Sequence, residues 1–264
     1  MLEHEANPSA FGPAWWRFPR YAAAAVRVTF VVPAYQAAKS VAKVVSELCE
    51  VAARLAETTT PSVLVVDDGS SDETGERAAS AGALVVRHPQ NRGKGAALVS
   101  GFERALALGA EAVVTVDADG QHPASEALLL AEHGAPRAAL VLGVRDLRRD
   151  GAPRANRFSN GFSNVWMSWF ARRRLGDTQC GLRRYPLPET LQLGLVGRGY
   201  ELEAEVILKA VRARWPLFEV PVRVLYPTGA ERVSHFRSVR DPTRIVLTIL
   251  STVATTPFQP KRPA

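Results

Sequence analysis

The residues with the clearest chemistry are acids that directly follow short apolar runs. Asp117, Asp119 and Gln121 stand at alternate positions in DADGQHP, after AVVTV. On an extended stretch alternate side chains point the same way, so three oxygen-bearing groups can face one cation. Carboxylate and amide oxygens are hard ligands suited to Mg²⁺ or Mn²⁺, which complete their shells with water and phosphate oxygens. The plain alternative is a turn after a strand, made of residues that turns favour. Asp67 and Asp68 open DDGSSDET after a second apolar run. A helix dipole would explain one acid there, whereas two at a strand's end suit hydrogen bonds to a nucleobase and ribose. Asn91-Arg92-Gly93-Lys94-Gly95 then opens a helix with two glycines and a lysine. That set suits a diphosphate, because backbone N–H groups, helix dipole and ammonium point one way. Its spacing is not that of a Walker A loop, and no GxGxxG follows the first strand.

These loops need a frame that brings them together. VRVTFVVP (26–33), SVLVV (62–66), ALVV (83–86), AVVTV (112–116) and AALVLG (138–143) are short, apolar and β-branched, as buried parallel strands are. Between them lie helical patterns: Val41, Val44, Val45, Leu48, Val51 and Leu55 at helical spacing, then Gly95 to Leu108, then Ser125 to His133. Ser70 with Glu73 fits a capping box opening a short helix. Alternating strands and helices predict an α/β domain with a mostly parallel sheet. Ligands of such sheets bind at the carboxyl ends of the strands, where PAYQ (33–36), DDGSSDET (67–74), NRGKG (91–95) and DADGQHP (117–123) would converge. After Gly143 the rhythm changes. A helix over Phe158–Phe170, a strand at GLRRY, a helix carrying Leu202 to Val211, a strand-like FEVPVRVLY (218–226) and an apolar IVLTILSTVA follow. The expected division is an extension at 1–25, a domain at 26–235 with halves at 26–143 and 144–235, and an apolar segment at 236–264.

Of 264 residues, 47% are hydrophobic and 22% charged, the make-up of a folded protein rather than a disordered one. Cys49 and Cys180 form neither a disulfide framework nor a metal spacing and point to a reducing compartment. The first residues lack the apolar core of a secretory signal, and no run reaches the roughly 18 to 20 apolar residues of a membrane span. Ten arginines and three aspartates lie between Arg145 and Arg184, a surplus equal to the whole net charge of +7. Such a stretch suits a phosphorylated substrate, anionic lipid or nucleic acid. Nucleic acid is not expected: no nucleic-acid-binding motif is present, and the acidic loops would repel a polyanion.

In order and spacing, PAYQ, VVDDGSSDET, NRGKG and DADGQHP resemble inverting glycosyltransferase family 2 over residues 26–230. NRGKG with DADGQHP most resembles its dolichyl-phosphate mannose synthase and polyprenyl-phosphate glycosyltransferase branch. The resemblance implies a GT-A fold, a single Rossmann-like sheet flanked by helices with a less regular acceptor-side half. It also implies a UDP- or GDP-sugar donor and a divalent metal, Mg²⁺ or Mn²⁺. Residue by residue, it implies that Pro33, Tyr35 and Asp67 hold base and ribose, with Gln36 and Asp68 beside them and Lys94 near the diphosphate. Asp117, Asp119 and Gln121 match the family's metal-binding acids and amide, Asp119 among the catalytic residues. Arg145 resembles the basic residue after the fifth strand. DTQCGLRRY places Arg183 near phosphate, and GYELEAEV puts Glu205 at the family's Glu. The chain departs from the family in Gln36, where Asn is usual, in Cys180, where a small hydroxyl residue is commoner, and in the extra acids Glu201 and Glu203.

A polyprenyl phosphate acceptor brings an anionic oxygen and needs no strong base, and Arg145, Arg154, Arg157, Arg183 and Arg184 are the candidates to bind it. A hydroxyl acceptor, on a glycan or hydroxylated lipid, needs a carboxylate to take its proton, for which Glu201 or Glu203 stand ready. The dense arginines favour the phosphate. Arg148, Arg149 and Arg172 to Arg174 read as a solvated or lipid-facing surface, His122 as structural, His88 and His133 as surface, and Trp166 and Trp169 as core or interface. A non-catalytic nucleotide-binding module is the rival from another class, disfavoured because both acids of the DxD are kept. The C-terminal apolar run, preceded by Arg232, Arg237, Arg240 and Arg244, suits an interfacial helix on anionic lipid or a helix docked on the domain or a second subunit. The expectation is a cytoplasmic protein, peripheral on the cytoplasmic face of the membrane, with a homodimer among its arrangements.

Overall fold

A computed structural model describes residues 26–55, 58–226 and 240–259. In chain order the first half holds β1 (Val28–Ala34), α1 (Val41–Ala52), β2 (Thr58–Asp67), α2 (Thr74–Ser80), β3 (Leu84–Arg87), α3 (Lys94–Ala107), β4 (Ala112–Thr115), α4 (Ala124–Ala131) and β5 (Leu140–Arg145). The second holds α5 (Arg154–Ala171), β6 (Arg183–Pro186), α6 (Glu201–Arg212), β7 (Leu217–Val222) and α7 (Arg240–Thr255).

The strands make one sheet in the order β3-β2-β1-β4-β6-β5-β7. β6 runs against β4 and β5, while the other pairings are parallel. Strands covered on both faces carry unbroken apolar runs, and β1 shows why. Phe30 and Val32 enter a layer formed with α1, α2 and α4, while Val31 enters the opposite layer with α3, α5, α6 and α7. Gly101 lets α3 lie close on β1, since a Cβ there would meet Val31 Cγ1 at 2.5 Å.

Register sets the site. Ala34 pairs with Asp67, and Val31 with Thr115, so Tyr35, Asp68 and Asp117 all leave the sheet at one edge. Because β6 is antiparallel, its beginning lies at that edge: Arg183 pairs with Thr115. The second half thus completes the same sheet and contributes Gly181 to the same end.

Two local expectations change. The capping box does not form, because α2 starts only at Thr74, with Glu73 at its N-cap and no side-chain cap. The Ser70 hydroxyl instead accepts the Gln36 N–H at 3.0 Å, and Glu73 pairs with Arg77 at 2.6 Å. The C-terminal helix is docked: α7 packs on α6, with Ile249 in the core. Its Val246, Leu247 and Leu250 stay exposed. Residues 1–25 and the arginines at 232 and 237 lie outside the described residues. Among the described residues, no helix is long and apolar enough to cross a membrane.

Candidate active site at the carboxyl edge of the sheet

β1 ends in Pro33, Tyr35 and Gln36, all half-buried. Gln36 adopts a left-handed conformation, φ 52, and its Nε2 donates to Ser71 Oγ at 2.7 Å. Asn is favoured over Gln in that region of backbone space, so this departure from the family pattern leans on Ser70 and Ser71. Asp67 is fully buried; its Oδ1 accepts the Ser70 N–H at 2.9 Å and its Oδ2 faces Arg87 Nε at 3.3 Å. Beside it opens a cavity of about 300 Å³ lined by Gly69, Ser70, Arg87, His88 and Pro89.

Asp68 does something other than the nucleoside contact expected of it. Its Oδ1 meets His88 Nδ1 at 2.6 Å and accepts the Arg92 N–H at 2.9 Å, and its Oδ2 accepts the Gly93 N–H at 2.8 Å. Both oxygens are engaged and the side chain is buried, so Asp68 clamps the NRGKG loop to β2. His88, expected at the surface, is buried and reaches Ser100 Oγ at 3.0 Å through Nε2. The loop's glycines serve a close approach as well: a Cβ at Gly93 or Gly95 would lie 2.4 Å from Arg198 O or 2.7 Å from Gly199 O. The Ala96 N–H is taken by Arg198 O. The Arg92, Gly93 and Ala96 N–H groups are thus all taken within the protein.

Lys94 Nζ lies 2.7 Å from Asp117 Oδ1, 3.3 Å from Glu203 Oε1 and 5.6 Å from the centre of the Tyr200 ring. Burial opposes its charge, but Asp117 and Glu203 outweigh it and raise the ammonium above its ordinary value. Burial likewise works against the Asp117 charge, and Lys94 reverses the balance, holding the carboxyl low. Asp119 is exposed, yet the surrounding protein and the Asp117 charge push its carboxyl up. The alternation argument for Gln121 fails, because the segment is a turn. Gly120 has φ 71, and the Gln121 N–H closes onto Asp119 Oδ1 at 3.0 Å. His122 is buried with Nδ1 at Arg223 O and Nε2 at Cys180 Sγ.

Gly181 went unnoticed in the sequence. A Cβ there would sit 2.6 Å from Asp117 Oδ2, so only glycine leaves room for that carboxylate. Its signal was a lone glycine just before β6. As a test of metal fit, Asp117 and Asp119 supply two carboxylates beside one ammonium. Magnesium-type sites commonly use one or two carboxylates and let substrate phosphate finish the shell. No group of three or more His, Cys, Asp or Glu converges on one point among the described residues.

The arginines divide. Arg183 is fully buried and its Nε, Nη1 and Nη2 donate to the carbonyls of Cys180, Glu203 and Thr178 at 2.7 to 2.9 Å. It cannot meet an acceptor phosphate without abandoning three carbonyls, so it is a brace rather than an acceptor contact. Arg184 is buried too, giving Nη1 and Nη2 to His133, Ala135 and Pro136 carbonyls. Arg145 grips Asp177 through Nε and Nη2 at 2.6 and 3.1 Å. Arg154 is exposed and Arg157 half-buried on the first turn of α5. On α6, Glu201 accepts the Arg198 and Gly199 N–H groups and pairs with Arg244 at 2.7 Å. All three contacts fall on Glu201 Oε1, which ties the loop before α6 to α7. Glu205 accepts the Val196 and Gly197 N–H groups and pairs with Lys209.

A search of protein families matches residues 29–184 to Glycosyl transferase family 2. Among known proteins, the UDP-N-acetylglucosamine–dolichyl-phosphate N-acetylglucosaminyltransferase of Methanococcus voltae is 25% identical over 223 residues, 75% of this chain and 86% of that protein. The undecaprenyl-phosphate mannosyltransferase of Micrococcus luteus is 29% identical over 214 residues, 75% and 83% of the two chains. Among solved structures, glucosyl-3-phosphoglycerate synthase from Mycobacterium tuberculosis, in complex with Mn²⁺, uridine-diphosphate and phosphoglyceric acid, superposes with a TM-score of 0.67. That match has 20% identity and covers 90% of this chain and 84% of the other. The likeness establishes the fold, a mixed α/β sheet of the GT-A type.

Proposed function

From the premise that the chain belongs to glycosyl transferase family 2 and is a glycosyltransferase, we propose that it moves a sugar, with inversion, from a nucleoside-diphosphate sugar to a polyprenyl phosphate. The observation that carries this reading is the cluster of Lys94, Asp117 and Glu203 with Asp119 alongside. Three acids against one lysine leave the crevice negative, and a diphosphate would be repelled without a divalent cation between them. Asp117 and Asp119 are the groups that would hold that cation, which when bound neutralises charge developing on the leaving diphosphate. Lys94, fixed by its two carboxylate partners, is positioned to receive the same negative charge. Pro33, Tyr35 and Asp67 frame the nucleoside side of the cleft. The solved relative's complex with Mn²⁺ and uridine-diphosphate supports both donor class and metal.

The two relatives named above, by their names, act on dolichyl and undecaprenyl phosphates, which supports the lipid-phosphate acceptor. Such an oxygen is already anionic, so Glu203 orients Lys94 rather than moving a proton. Arg154 and Arg157 are then the accessible cations for the acceptor phosphate. Calorimetry with UDP and GDP should show binding with Mn²⁺ and at least tenfold weaker binding with chelator, about 1.4 kcal/mol; equal affinity in both removes the metal. Labelled sugar offered with polyprenyl phosphate or the matching polyprenol should appear on the phosphate alone. Transfer to the polyprenol alone would make the acceptor a hydroxyl and Glu203 the base.

A further inference from the structure

α5 is amphipathic in the wrong sense for a helix facing water. Phe158, Phe162, Val165, Trp166 and Trp169 recur along one face and are exposed, Phe158 to 79% and Trp169 to 70%. The opposite face, which is packed inward, carries Asn160, Ser163, Asn164, Met167 and Ala171. A helix normally buries its apolar stripe, and a contiguous exposed apolar patch marks a site of interaction. The inward face does specific work. Asn160 Nδ2 donates to Asp177 Oδ1 at 2.6 Å, the carboxylate that also grips Arg145. Ser163 and Asn164 hold Thr178. The segment so held runs on to Gly181, against Asp117. The polar face of α5 is thus committed to the cleft wall, which leaves the aromatic face without a protein partner among the described residues.

Charge decides what fits that face. Residues 151–176 contain five arginines, 154 and 157 at the first turn of α5 and 172 to 174 just past its end, and no acid. Arg172, Arg173 and Arg174 are exposed. A second copy of the chain docking through α5, parallel or antiparallel, would bring arginine clusters against arginine clusters. An anionic lipid surface pairs with both ends and takes the aromatic rings between them, the pattern of an interfacial helix. We propose that the Phe158–Trp169 face of α5 docks the protein on anionic membrane. This rests on and deepens the lipid-acceptor reading, because it sets the cleft wall at the bilayer surface, where the phosphate of a membrane-embedded acceptor lies.

Flotation tests the surface without the acceptor. Vesicles of phosphatidylcholine and phosphatidylglycerol in equal parts, with no polyprenyl phosphate, should carry the full chain at low salt, and pure phosphatidylcholine should carry much less. The triple variant Phe158→Ser, Phe162→Ser, Trp169→Ser should lower the vesicle-bound fraction about tenfold while the melting temperature holds. Arg172→Glu with Arg174→Glu, which leaves the aromatic face intact, should lose binding to the anionic vesicles too. In detergent, transfer to polyprenyl phosphate should persist in the triple variant; its failure in the unaltered chain would count against the acceptor reading and not against the surface. Unchanged flotation of both variants overturns the proposal. So does a triple variant that turns a dimer into a monomer while flotation stays the same, since the face would then join two copies.

Discussion

Asp117 has one oxygen on Lys94 and the other over Gly181, so its carboxylate is fixed from both sides. Gly181 is buried, and its carbonyl accepts the Thr115 hydroxyl at 2.7 Å. Gly181→Ala adds one methyl at 2.6 Å from Asp117 Oδ2, too close for the carboxylate to stay where it is. Turnover should fall at least tenfold, about 1.4 kcal/mol or more in the barrier, with a loss of Mn²⁺-dependent nucleotide binding and little change in melting temperature. Unaltered nucleotide binding in that variant would show that the Asp117 position does not matter to the donor. Arg183 teaches the converse lesson at the same scale. An arginine read from the sequence as a phosphate ligand is a buried donor whose three carbonyl partners leave it no role at the surface.

At the scale of elements, α6 and the loop before it shape the cleft together. Glu201 and Glu205, one turn apart, hold the N–H groups of residues 196–199, and the loop's carbonyls press on Gly93 and Gly95 where α3 begins. Glu203, between them, points to Lys94 instead. Glu205→Ala removes the carboxylate that accepts the Val196 and Gly197 N–H groups, and a hydrogen bond to a charged group is worth about 1.5–3 kcal/mol. Hydrogen exchange should quicken at 196–199 and at the Ala96 amide, which donates to Arg198 O. If exchange at Ala96 stays as it was, the loop does not support the start of α3. A helix dipole or a charge count could not have predicted this, because it depends on a backbone approach between segments about a hundred residues apart.

For the whole molecule, Asp177 is the joint between the end of β5 and the helical half. It is buried, and binds Arg145 from β5 and Asn160 from α5. Burial disfavours its charge, yet the hydrogen bonds from Arg145 outweigh that and hold the carboxyl below its usual value. A folded value lower than the unfolded one makes the stabilisation complete above about pH 4 and lost as pH falls through the folded value. Asp177→Ala leaves Arg145 without its partner and should cost about 3 kcal/mol at neutral pH. Chemical denaturation across pH should show the gap between the parent and Asp177→Ala narrowing below about pH 4. A gap that stays constant would mean that the pair contributes no pH-dependent stability.

The amino-acid sequence alone determined the sheet, because a short β-branched run closed by a turn needs no distant partner to be read as a buried strand. It also determined which strand ends carry acids and a lysine, and hence the family, since those motifs are local. What each motif's side chains touch was decided by tertiary structure. Asp68 became a loop clamp because the fold brings His88 and the Arg92 and Gly93 N–H groups onto its two oxygens, and Gln121 left the metal face because Gly120 turns the chain. α5 is the clearest case. Its aromatic stripe has the periodicity of a core face, and helical period says which residues share a side, never which side is inward. The inward side is the one carrying Asn160, whose buried amide binds Asp177, with Asn164 on Thr178 and the Gly176 carbonyl and Met167 and Ala171 in the core.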